Sequence, residues 1–79
     1  MSDQPKTYGT TDLYVGAFLR ARGIKLIDVD KSGRRITFLF NDSEETKKLI
    51  KEFYNDAVVK INDFQHALKD LKSITYNMA

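Results

Sequence analysis

The sequence predicts a small single α+β domain: helix, hairpin, helix, helix (order α-β-β-α-α), an antiparallel hairpin with the helices packed on one face. Three observations carry this. Apolar residues recur at helical spacing in three segments, and they alternate in two short segments flanking Lys31-Ser32-Gly33. A chain of 79 residues also has room for only one core. Residues 1–9, with Pro5 and Gly9 among polar neighbours, read as a flexible N-terminal tail. Residues 10–76 form the domain, and Asn77-Met78-Ala79 a frayed C-terminus.

The first helix runs from Leu13 to about Arg22. Thr10, Thr11 or Asp12 can accept from its unpaired N–H groups, and Gly23 after Arg20 and Arg22 is a stop signal. Leu13, Tyr14, Ala17, Phe18 and Ala21 share one face; Val15 and Leu19 lie beyond it. Only Gly16 and Arg20 leave an open side, so this helix is expected to be covered on two sides. Gly16 costs about 1 kcal/mol relative to Ala in a helix. A close approach by another backbone, or plain tolerance, would account for it.

Ile24 to Asp30 and Arg34 to Phe40 read as a hairpin closed by a three-residue loop. The expected register pairs Asp30 with Arg34, Leu26 with Phe38 and Ile24 with Phe40. One face then carries Ile24, Leu26, Ile36, Phe38 and Phe40 toward the core. The other carries Ile27, Val29 and Leu39 among Lys25, Arg35 and Thr37.

Asp42 and Glu45 stand at capping-box spacing before a second helix with the stripe Leu49, Ile50, Phe53, Tyr54 and Ala57. Glu44 and Lys48 are placed to pair. Ala57 to Ile61 is a short apolar connector, with the character of a strand fragment. Asn62 and Gln65 form a second cap pair. The third helix reaches about Thr75, with Phe64, Ala67, Leu68, Leu71 and Ile74 inward.

Composition narrows the function classes. No apolar run approaches the roughly 18 residues of a membrane span, and the first residues lack the basic-then-apolar pattern of a signal peptide. The expected setting is cytoplasmic. With no cysteine and one histidine, neither a disulfide nor a thiolate metal site is available, and no metal or cofactor is expected. Asp28 and Asp30 share a sheet face and could bind a cation or share a proton; solvating the hairpin end beside Arg34 is the simpler role. Asp63, His66 and Asp70 lie at helical spacing opposite the apolar stripe, where a solvated ion pair is the simpler reading. No glycine-rich phosphate cradle is present, and an enzyme is not expected.

Charge is uneven. Residues 20–35 hold Arg20, Arg22, Lys25, Lys31, Arg34 and Arg35 against two acids, whereas the remainder holds seven cations and nine anions. This segment is the candidate nucleic-acid surface. Lys25 and Lys31 stand roughly 20 Å apart along a strand, however, so the cations form two clusters. The favoured surface is apolar: Ile27, Val29 and Leu39, extended by Val15 and Leu19, forming a protein interface. Cover by the chain itself is the competing explanation. Small domains gain from extra burial, so the expected partner is a second copy, as a homodimer, or another protein.

Thr10-Thr11-Asp12-Leu13-Tyr14 through Leu19, Arg22-Gly23-Ile24-Lys25-Leu26, Gly33-Arg34-Arg35-Ile36-Thr37-Phe38 and Phe53-Tyr54-Asn55 together resemble a family of small bacterial and phage proteins of unknown function, over residues 9–76. Its members often carry Gly or Pro in the connector, where this chain has Asp56-Ala57-Val58-Val59-Lys60. The resemblance implies a prokaryotic or mobile-element setting and supplies no chemistry. The functional expectation is a non-enzymatic, self-associating interaction module, an inhibitor or adaptor; the alternative is a nucleic-acid-binding domain.

Overall fold

The computed structural model describes residues 6–77. The elements are β1 (Thr7–Thr10), α1 (Leu13–Ala21), β2 (Leu26–Asp30), β3 (Thr37–Asn41), α2 (Glu44–Phe53) and α3 (Ile61–Asn77). The domain is α+β, as expected, with an additional first strand. The strands form an antiparallel sheet in the order β1-β3-β2, and the helices pack against it.

The expected tail is the first correction. Thr7–Thr10 pairs along β3, from Thr7 opposite Asn41 to Thr10 opposite Phe38. Four residues with a glycine and a single aromatic give too little alternation to read as a strand; the ladder to β3 holds them in place. Residues 1–5 and 78–79, the rest of the expected tail and frayed end, lie outside the described residues.

α1 is delimited by its local chemistry. Asp12 Oδ1 accepts from Tyr14 N at 2.8 Å and from Val15 N at 3.4 Å. At the far end Gly23, at φ +95°, donates to Arg20 O, while Ile24 N reaches back to Leu19 O at 2.9 Å. These two bonds make the Schellman ending, and its apolar pair, Leu19 and Ile24, is buried in the core. α2 is capped by Ser43 rather than Asp42: Ser43 Oγ accepts from Thr46 N at 3.2 Å. Fully buried Thr46 donates its hydroxyl to Asn41 O at 2.6 Å, tying the helix start to the end of β3. Glu44 reaches Lys47 at 3.8 Å, not the expected Lys48. α3 begins one residue before the expected Asn62 cap, with Phe64 N donating to Lys60 O. The connector before it forms no strand.

The hairpin register also differs. Leu26 faces Phe40, then a bulge intervenes, and Asp28, Val29 and Asp30 face Leu39, Phe38 and Thr37. The connecting loop is residues 31–36, longer than the three expected. Two local effects displace the register: the bulge inserts Ile27, and the loop takes in Arg34, Arg35 and Ile36.

The core consists of Val15, Ala17, Phe18, Leu19 and Ile24, then Phe38, Phe40 and Leu49, and finally Ala67 and Leu71. Gly16 is buried with them, correcting the expected open side of α1. Leu71 of α3 and Phe40 of β3 crowd the space where its β-carbon would stand. The close approach comes from side chains, not from another backbone.

Candidate protein-docking cleft

The expected interface does not assemble. Val15 and Leu19 are completely buried and present nothing to a partner. A helix covered on two sides implies this outcome, because residues flanking its main stripe meet a second layer. Val29 stands opposite Phe38 and packs on the core, since the bulge reverses the alternation between Leu26 and Val29. Of the five residues, Ile27 and Leu39 remain outside the core cluster. Leu39 faces Asp28 and Gly9 across the strands, and its Cδ2 and Thr37 Cγ2 close over Gly9.

The six basic residues do not share one surface. Arg20 lies 3.8 Å from Asp70. Arg22 donates to Val58 O at 3.0 Å, stands 3.6 Å from Glu52 and lies over the Phe18 ring at 5.6 Å. It therefore fastens the connector to the end of α1. Lys25 precedes β2, beside a hollow of about 550 Å³ that also takes in Ile27, Asn41 and Glu45. Lys31, Arg34 and Arg35 stay exposed in the β2–β3 loop.

The acidic candidates engage the backbone. Asp28 Oδ1 accepts from Val29 N at 2.7 Å and Asp30 Oδ1 from Ser32 N at 2.9 Å. The Ser32 hydrogen bonds, backbone first and then side chain, hold the Asp30 carboxyl below its ordinary value. Asp63, His66 and Asp70 lie exposed beside Arg20, and no cluster of three or more potential metal ligands occurs among the described residues.

A different site emerges where α2 ends and α3 begins. Phe18 forms a floor, and Phe53, the last residue of α2, tilts against it at 5.7 Å between ring centroids. Tyr54 caps the helix, meets Phe53 edge-on at 5.1 Å and remains 69% exposed. The chain then turns through Asn55 and Asp56, tucks in Ala57 and Val59, and enters α3 with Ile61, 68% exposed. Phe64, one turn later, stacks on Tyr14 of α1 at 6.5 Å and 11°. Phe18, Phe53, Tyr54, Ile61 and Phe64 enclose an open cleft of about 480 Å³. Val58 and Tyr14 expose further apolar area on the segments that shape it. Sequence periodicity placed Tyr54 on an inward stripe and left Ile61 in the connector. The turn after Phe53, which brings both to the surface, has no periodic signature.

The influence of Tyr54 reaches β1. Tyr8 on β1 has its phenol raised above the ordinary value, first by burial and then by Tyr54, with Asp12 adding to the rise and a Thr10 hydrogen bond opposing it. Asn55 and Asp56 also line the cleft, so its wall is part polar and part apolar.

Residues 5–77 match the model of a family described as Domain of unknown function (DUF5659). The chain belongs to the DUF5659 family. No curated protein and no solved structure matches it. The match covers the whole stretch on which the resemblance to small proteins of unknown function rests, and the family description names no activity. No helix among the described residues of this DUF5659 domain is long and apolar enough to cross a membrane.

Proposed function

We propose that this DUF5659 domain is a non-enzymatic protein-interaction module that takes a large apolar or aromatic side chain of a partner protein into the cleft between α2 and α3. One observation carries the reading: Tyr54 and Ile61, two of the six exposed large apolar side chains among the described residues, line a single cleft floored by Phe18 and Phe53. Exposed apolar area concentrated in one concavity marks a binding surface, and tyrosine in such a place anchors partners at low entropic cost. The volume suits one or two anchoring side chains. An adaptor or inhibitor role in a bacterial or phage setting is consistent with a surface of this size.

A displayed random-peptide library selected on the purified protein tests this. The expected peptides carry a large apolar anchor, bind the wild type, and lose binding to Ile61→Asp and Tyr54→Ser, both exposed positions whose substitution leaves the fold intact by circular dichroism. Recovery of no peptide, or peptides that bind Ile61→Asp as well as wild type, overturns the reading.

A further inference from the structure

The two edges of the sheet are built differently. The β2 edge is interrupted by the bulge at Ile27 and carries Asp28 and Asp30, whose carboxylates occupy neighbouring backbone N–H groups. Bulges and charges of this kind discourage pairing with another strand. The β1 edge has neither. Thr7-Tyr8-Gly9-Thr10 is uncharged and pairs with β3 in unbroken register.

Backbone parity identifies the groups that β1 presents. Asp42 N donates to Lys6 O at 2.9 Å, so Lys6 turns its backbone toward β3. Alternation then turns Tyr8 and Thr10 toward β3, and Thr7 and Gly9 outward. Asn41 N, directed at Lys25 O on the β2 side, agrees with this parity. Thr7 and Gly9 are both exposed.

We propose that β1 pairs antiparallel with β1 of a second copy about a two-fold axis at Tyr8, making a continuous six-stranded sheet. Among registers confined to the strand, this one uses both outward residues of both copies: Thr7 exchanges N–H···O=C bonds with Gly9 of the second copy, and Gly9 with its Thr7. Lys6 falls opposite Thr10, so no like charges oppose. Tyr8 meets Tyr8 as a close, non-hydrogen-bonded pair on the helix side of the sheet, where aromatic cross-strand pairs stabilise. This self-complementarity selects a second copy over a foreign strand. The pairing uses no residue of the cleft, although Tyr54 of the cleft is near enough to Tyr8 to raise its phenol.

Light scattering of the full chain, with two sets of variants, tests this. The expected result is twice the chain mass for wild type and for Ile61→Asp. Thr7→Pro removes only an outward donor, which an edge strand tolerates; it is expected to be monomeric with an unchanged circular dichroism spectrum. The chain has no cysteine, so single cysteines report geometry directly. Cα atoms of a non-hydrogen-bonded pair lie about 4.5 Å apart, within disulfide range. Under mild oxidation Tyr8→Cys is expected to form a covalent dimer much faster than Thr10→Cys, and this measurement stands even if Thr7→Pro does not fold. A wild-type monomer at every concentration overturns the proposal, including one that takes up an extended foreign peptide at β1. So do a dimer lost in Ile61→Asp, and equal crosslinking of the two cysteine variants.

Discussion

Leu71 of α3 sits directly on Gly16 of α1, so that a β-carbon placed on Gly16 would lie 2.9 Å from Leu71 Cδ1 and 3.6 Å from Phe40 Cζ. The absent side chain lets α3 approach α1 at the centre of the core, where Leu71 and Phe40 are fully buried.

Gly16→Ala therefore sets two effects against each other. Helix propensity favours alanine by about 1 kcal/mol, and overpacking a filled core costs about 1–3 kcal/mol. Because Leu71 has no exposed side to move toward, overpacking wins, and urea unfolding is expected to show a net loss of ~1 kcal/mol. Leu71→Ala alone costs about 2–5 kcal/mol. In that background Gly16→Ala becomes neutral or stabilising. A double-mutant cycle with no coupling between the two sites contradicts this account of the contact.

Thr46 supplies a second test. Its hydroxyl donates to Asn41 O while it is fully buried. Thr46→Val keeps the shape and removes the donor, at an expected cost of about 1–3 kcal/mol, whereas Thr46→Ser retains the bond and loses only a methyl. Chemical denaturation of the two variants should separate them in that order.

The β2–β3 loop responds to acid through Asp30. Its carboxyl is held below the ordinary 3.8 by the Ser32 hydrogen bonds. A depressed acid favours the folded loop while ionised, so its contribution is complete above that ordinary value and is lost as pH falls through the lower folded value. NMR titration is expected to show Asp30 titrating below 3.8. Ser32 N–H should lose protection over the same range, and Asp30→Asn should abolish the linked change. An Asp30 midpoint at or above the ordinary value contradicts it.

The helices were legible because their signals are local. Asp12 and Gly23 mark the ends of α1 through bonds spanning a few residues, and Phe64, Ala67, Leu68, Leu71 and Ile74 share an inward face that periodicity alone reveals. The sheet was less legible because its register depends on distant partners and one inserted residue. Ile27 shifts the parity between Leu26 and Val29, and a reader assuming strict alternation puts Val29 on the wrong face. Val15 and Leu19 were misplaced for a related reason: the breadth of the apolar surface on α1 indicated cover on two sides, yet covered residues make poor interfaces. The cleft was illegible because it is made by a change of chain direction after Phe53. Tyr54 and Ile61 carry no mark in the sequence that distinguishes them from core residues.

β3 is central in space but third in order, and that has a consequence for synthesis. Thr7 is paired with Asn41, and Tyr8 with Phe40, more than thirty residues downstream. At about 5–20 residues per second, β1 is made several seconds before the strand that shelters its inner side. α1 can coil in that interval, but β1 waits with both edges open. The sheet closes only when β3 arrives, so Thr7–Thr10 stays without a neighbouring strand until residues 37–41 have been made and are free to pair.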